Sequence, residues 1–150
     1  MKAVIQRVKH ASVTVDNIKI SEIKNGILLL LGVAENDSSE DINWLSKKIA
    51  NLRIFNDEND VMNKSLIDIK GEAIVVSQFT LQASTKKGNR PSYLKAAKPE
   101  IATPLYKQFV HQFEKEIEKK VQTGKFGAEM KVELLNDGPV TIIIDTENKI

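Results

Sequence analysis

Two short runs of uninterrupted apolar residues, Ile27 to Leu31 and Ala73 to Val76, constrain the fold more than any other feature of the sequence. A strand with one wet face alternates apolar and polar side chains, because successive side chains point to opposite sides of the sheet. A run without alternation, bounded and too short for a helix, reads instead as a strand buried on both faces. Something must then cover both faces. Asn36, Asp37 and Ser38 offer N-caps, after which Ile42, Leu45, Ile49 and Leu52 recur at helical spacing and leave Lys47, Lys48 and Asn51 toward solvent. Thr103 and Pro104 read as the cap and first residue of a second helix, in which Leu105, Phe109, Phe113 and Ile117 return at four-residue spacing.

The remainder is strand and turn. Val4, Ile5 and Val8, then Val13 and Val15, then Ile18 and Ile20 are β-branched stretches broken at Lys9-His10 and Asp16-Asn17, as in an antiparallel meander. Asn56 to Asn59 is a polar turn. Met130 to Leu135 and Thr141 to Ile144 are two closing strands, joined by the turn formers Asn136-Asp137-Gly138-Pro139. The order of elements predicts a mixed α/β layer structure. No linker, repeat or low-complexity tract divides it, and 150 residues with 41% hydrophobic side chains suit one domain spanning 1–150.

Several functional classes are disfavoured. The longest apolar run is far short of the roughly 18 residues a membrane span needs, and Gln6, Arg7, Lys9 and His10 interrupt any signal core behind Met1-Lys2. A cytoplasmic protein without membrane contact is expected. The absence of cysteine removes thiolate nucleophiles and cysteine-based zinc sites. His10 falls at a predicted strand turn, and His111 is about 200° round its helix from Phe109, so both are expected at the surface rather than in a catalytic triad. Neither histidine has a partner at ligand spacing, and Asp57-Glu58-Asn59-Asp60 lacks the calcium-loop pattern, so no metal is expected. No Gly-rich phosphate loop or dinucleotide fingerprint is present, and no cofactor is implied. Between Lys86 and Lys98 the chain carries Lys86, Lys87, Arg90, Lys95 and Lys98 with no acidic residue. This is a solvated loop or a track for phosphates. After the second buried strand, Ser77-Gln78-Phe79-Thr80-Leu81 brings hydroxyls, an amide and main-chain N–H groups together. Such groups satisfy local backbone in many proteins, and in some they polarise a carbonyl.

Five stretches taken together carry a resemblance: Gln6-Arg7-Val8, Ser77-Gln78-Phe79-Thr80-Leu81, Gly88-Asn89-Arg90-Pro91-Ser92, Phe126-Gly127-Ala128-Glu129-Met130 and Asn136-Asp137-Gly138-Pro139-Val140-Thr141. In order and spacing, over nearly the whole chain, they resemble the D-aminoacyl-tRNA deacylase family. Tyr93 stands where that family usually has phenylalanine after Pro-Ser, and it keeps the aromatic ring.

The resemblance implies barrel-like antiparallel β layers with two main helices packed outside, and a homodimer with active sites at the subunit interface. It implies an enzyme that hydrolyses the ester of D-aminoacyl-tRNA, with Phe79 and Thr80 as catalytic positions. Ser77 and Gln78 would help bind the terminal adenosine and ester, and Phe126 and Met130 would form the adenosine end. Gly138 and Pro139 of the other subunit would complete the site as a Gly-cisPro backbone filter. In that filter the two carbonyls beside a cis Gly138-Pro139 bond bind the α-ammonium by charge-assisted hydrogen bonds and leave no room for an L side chain. Glycyl-tRNA, having no side chain to exclude, is a plausible second substrate. Arg7 would support the Gly-Pro segment, and Lys86, Lys87 and Arg90 would contact tRNA phosphates. Two routes to hydrolysis stay open: main-chain donors with help from the tRNA 2′-hydroxyl, or Thr80 as nucleophile, which would need a base that the sequence does not reveal. A non-catalytic dimeric module that holds tRNA acceptor ends is the alternative from another class.

Overall fold

The protein is described by a computed structural model covering residues 1–149. The long strand β1 (Lys2–Val15) is followed by β2 (Ile18–Ile23), β3 (Gly26–Gly32), helix α1 (Ser39–Ala50) and a small ribbon of β4 (Phe55–Asn56) with β5 (Met62–Lys64). Then come β6 (Glu72–Ser77), a 3-10 turn (Phe79–Gln82), helix α2 (Pro99–Ile117), β7 (Gln122–Thr123) and β8 (Lys131–Asp145). The main sheet runs β2-β1-β3-β6-β7, with β8 on the free side of β1. It is mixed: β1 is antiparallel to β2, β3 and β8, whereas β3-β6 and β6-β7 are parallel.

Both uninterrupted apolar runs are the strands expected, β3 and β6, and the core explains why they do not alternate. Ile27, Leu29 and Leu31 of β3 and Ala73 and Val75 of β6 face a cluster that includes Ile42, Leu45 and Ile49 of α1 and Phe109 and Phe113 of α2. Leu28, Ile74 and Val76 face a second cluster with Val8, Ala11, Val13, Val15 and Ile23. The helices cover one face, and the sheet curls over the other. The Ser21 hydroxyl of β2 donates to the Thr123 carbonyl of β7, joining the two ends of the strand order. The result is the nearly closed, barrel-like mixed sheet with two helices outside.

Lys9-His10 does not end a strand, contrary to the meander reading. β1 runs through both residues, while Ala3 and Ile5 pack on the helix side and Ala11 and Val13 pack inside the barrel. Register shifts against β8 between Gln6 and Val8 and between Val8 and Ala11 absorb this change of face. A polar pair inside a strand here marks a coil of the strand rather than a turn. Asp16-Asn17 is the true hairpin turn, with both residues at positive φ, 49° and 61°.

Asn136-Asp137-Gly138-Pro139 likewise does not join two strands. Both halves of β8 pair antiparallel with β1, so the chain does not reverse, and the turn formers make a bulge within one strand. Helix α2 also differs from expectation, starting at Pro99 rather than after Thr103. Pro99 takes the first helical position and Glu100 follows in the first turn, both favourable there. Pro104 therefore lies inside the helix, on its exposed side. The carbonyl it leaves without an N–H partner, that of Glu100, belongs to an exposed residue that water can reach. For α1 the cap is Ser38, one of the three candidates, and the Asp41 carboxylate accepts from its N–H and hydroxyl at 2.9 and 3.1 Å. Leu52 falls just beyond the helix end but still packs against the core. No helix among the described residues is long and apolar enough to cross a membrane.

Candidate active site

A cavity of about 540 Å³ opens beyond the carboxyl ends of the parallel strands β3 and β6, where open α/β sheets commonly receive ligands. Leu31, Val76 and Ser77 contribute the strand ends. After Ser77 the chain takes one more sheet-like bond, from the Gln78 N–H to the Leu31 carbonyl at 2.8 Å, and then winds into the 3-10 turn. Gly32 makes this winding possible. A Cβ there would lie 2.9 Å from the Gln78 carbonyl oxygen and 2.9 Å from the Leu81 Cβ. The buried Gln82 side chain closes the other end of the turn by donating to the Gly32 carbonyl at 2.9 Å.

The turn itself supplies donors. Its bonds run from Leu81 N–H to Gln78 and from Ala83 N–H to Thr80, and among the described residues the Phe79 and Thr80 N–H groups have no acceptor. First-turn donors of any helix lack internal partners, so this pair is free to meet an oxygen that gains negative charge.

The opposite wall comes from the start of α2 and from the segment before β8. Ala97 and Pro99 lie at the helix entry, where the Ala97 N–H bonds to the Val33 carbonyl at 3.0 Å. Tyr106, behind this wall, was not singled out by sequence reading, yet it ties α2 to the sheet. Its hydroxyl donates to the Val75 carbonyl at 2.7 Å, its ring lies 5.7 Å from that of Phe126, and burial pushes its pKa up to about 12. Phe126 and Met130 line the cavity. No ionisable side chain does so among the described residues; the only polar side chains on the lining are those of Ser77 and Gln78.

The structure thus gathers Ser77, Gln78, Phe79, Phe126 and Met130 at one site. Thr80 is exposed beside it, its hydroxyl accepting from the Gln78 amide at 2.5 Å. Phe79 is 58% exposed, and its ring meets Tyr93 edge to face at 5.1 Å, which uses the aromatic ring kept at that position. The small residues Ala96, Ala97 and Ala102, together with Val33 and Val132, were missed; as isolated apolar positions they carry no signal of a site in sequence. Lys86, Lys87 and Arg90 lie on an exposed loop, closed at its base by paired Ser84 and Ser92 backbones, outside this cavity. His10 and His111 are both exposed, as expected.

Gly138 and Pro139 are elsewhere. Val132, which lines the cavity, precedes Gly138 by six residues on the same strand, about 20 Å at strand rise. The Gly138-Pro139 bond is cis, Gly138 has φ 131°, and both residues are exposed. The buried Arg7 grips the segment just before them: its Nε donates to the Asp137 carbonyl at 2.9 Å, and Nη1 donates to the Ile54 carbonyl at 2.7 Å and to Asn56 at 3.2 Å. The Asp137 carboxylate lies 3.5 Å from Arg7 and 3.6 Å from Lys9. Arg7 is held on several sides and presents the Gly-Pro bulge outward.

Residues 4–145 match the family described as D-Tyr-tRNA(Tyr) deacylase. The chain is 68% identical to the D-aminoacyl-tRNA deacylase of Flavobacterium psychrophilum and 64% identical to that of Bacteroides fragilis, covering 99% of this chain and 99% of the relative in each case. Among solved structures it is similar to the c-Myc DNA Unwinding Element Binding Protein, with a TM-score of 0.92 and 44% identity over 97% of this chain and 99% of the other. A second solved structure, titled as a probable eukaryotic D-amino acid tRNA deacylase, shares the fold with a TM-score of 0.82 at 15% identity over 95% of this chain and 97% of the other.

Proposed function

The chain belongs to the D-Tyr-tRNA(Tyr) deacylase family, and from that premise we propose that it hydrolyses the ester bond of D-aminoacyl-tRNA in the cytoplasm, releasing free tRNA and the D-amino acid. One observation carries the mechanism: among the described residues the cavity has no ionisable lining, yet two unpaired main-chain donors stand at its edge. The terminal adenosine lies against Phe126 and Met130, with Ser77 and Gln78 helping to hold the adenosine and ester. The ester carbonyl points to the Phe79 and Thr80 N–H groups. Water attacks the carbonyl carbon, the oxyanion is stabilised by those donors, and the carbon–oxygen bond to the ribose breaks as that oxygen takes a proton. The neighbouring 2′-hydroxyl of the tRNA assists the water, because among the described residues the pocket offers no histidine or carboxylate to do so.

Selection by chirality is assigned to Gly138 and Pro139 reaching across a homodimer interface. Their exposure, their distance along β8 from the cavity of their own subunit and the Arg7 anchor behind them support this role. Backbone carbonyls bind the α-ammonium whatever the side chain, so the filter accepts many D-amino acids, rejects L, and does not exclude glycine. Residues 1–150 act as one domain in each subunit. Incubation of catalytic amounts of protein with D-tyrosyl-tRNA, L-tyrosyl-tRNA and glycyl-tRNA tests the reading. Multiple turnovers on the D and glycyl esters with the L ester spared are expected; protection of the D ester would instead identify an acceptor-end binding module.

A further inference from the structure

A second cavity, of about 370 Å³, lies at the other end of the Phe79–Gln82 turn. Three lysines from separate parts of the chain, Lys2, Lys86 and Lys95, line it together with Ser84 and Thr85, and among the described residues no carboxylate does. Lys2 opens β1 and is half-buried, and the other two are exposed. Among the described residues none of the three has a carboxylate within 4.0 Å. Lys2 lies opposite Asp145 in the register of β1 with β8, but among the described residues no ion pair within 4.0 Å forms there, so the three like charges repel one another and an anion among them relieves that repulsion.

Their placement is built by the fold. Paired Ser84 and Ser92 backbones close the loop that carries Lys86, and the bridge between Ala34 and Ala96 pins the chain next to Lys95. The main cavity uses Ser77 to Phe79 of this stretch, and the second uses Gln82 onward. A 3-10 turn rises about 2 Å per residue, so the two cavities are separated along it by roughly 6 Å, comparable to the reach of one nucleotide. We propose that Lys2, Lys86 and Lys95 seat a backbone phosphate of the RNA strand that leads to the terminal adenosine in the main cavity.

The surroundings also set a direction. A neighbouring cavity shares Gln82 and Lys95 but is lined by Glu35, Asp37, Asp41, Asp145 and Glu147, which repel phosphate. The strand therefore leaves toward Lys87 and Arg90 and away from Glu35. This seat rests on the deacylase reading for its ligand, but binding of RNA can be measured without hydrolysis.

The probe is a fluorescent single-stranded hexanucleotide RNA with a free 3′-terminal adenosine, titrated by anisotropy over a range of salt concentrations. Each phosphate neutralised steepens the salt dependence of single-strand binding by about 0.7 in logarithmic slope. The double variant Lys2→Gln/Lys95→Gln is expected to bind more weakly with a slope shallower by about 0.7, the contribution of one phosphate, and Lys2→Arg/Lys95→Arg is expected to keep the slope. An unchanged slope in the Gln variant, or no binding by the unaltered protein, overturns the seat. Complete displacement of the RNA by inorganic phosphate at constant ionic strength also overturns it, in favour of a free anion. Turnover on D-tyrosyl-tRNA, measured separately, decides the catalytic reading whichever way the binding falls.

Discussion

Single residues beside the cavity test which groups do chemistry and which give support. The Thr80 hydroxyl lies beside the cavity, and among the described residues its one side-chain partner is the Gln78 amide. Thr80→Ala is expected to keep kcat within about tenfold, because the donor assigned to this position is its main-chain N–H, and loss of such a donor costs about 10²–10³. A D-tyrosyl-tRNA whose terminal adenosine lacks the 2′-hydroxyl should be nearly inert with the unaltered protein. The reverse pattern in single-turnover assays would restore Thr80 as nucleophile. Tyr106 is a support. Its pKa is raised from 10 to about 12 by burial, so the folded state favours the neutral phenol. That contribution is complete below pH 10 and is lost as pH rises toward 12, where the unfolded chain ionises first. Denaturant titrations from pH 9 to 12 should therefore show stability falling with pH, and Tyr106→Phe should flatten that fall. The same variant should cost about 1 kcal/mol at neutral pH through the lost bond to Val75.

Among the elements, α2 shows how a correct signal is assigned to the wrong position. Thr103-Pro104 reads as a helix start, but Lys98-Pro99-Glu100, five residues earlier, also puts a proline at the first helical position with an acidic residue after it, and burial of Ala102 and Tyr106 favours the longer helix. Pro104 remains inside, on the wet side, with one helical bond missing. Pro104→Ala should restore that bond and raise stability by about 1–2 kcal/mol, less than the full interior proline penalty of about 3 because water already serves the open carbonyl. Thermal unfolding of the two proteins measures it, and a lowered midpoint would contradict this account. β8 is the converse case. Its turn formers are real, but pairing of both halves to β1 turns them into a bulge.

At the scale of the whole molecule, the cavity and the Gly138-Pro139 bulge lie in different regions of one chain, and a homodimer that exchanges them would complete two sites. Gly138→Trp subunits and subunits inactivated in the Ser77-to-Thr80 stretch should each lack activity alone, while mixed dimers regain one intact site per dimer, a rescue readable in initial rates after confirmed subunit exchange. No rescue in confirmed mixed dimers would sink the exchange. Apolar runs and helical periodicity made β3, β6 and both helices legible in the sequence, because burial against a partner layer dictates which side chains must be apolar. Motif resemblance made Ser77 to Phe79, Phe126 and Met130 legible as one site before their contact could be known. Tertiary structure alone decided the rest. The coiling of β1 through Lys9-His10, the bulge in β8, the Tyr106 strut and the meeting of Lys2, Lys86 and Lys95 depend on pairing between distant segments. A local pattern records the preference of a residue for a face or a turn, but not which strand will lie beside it.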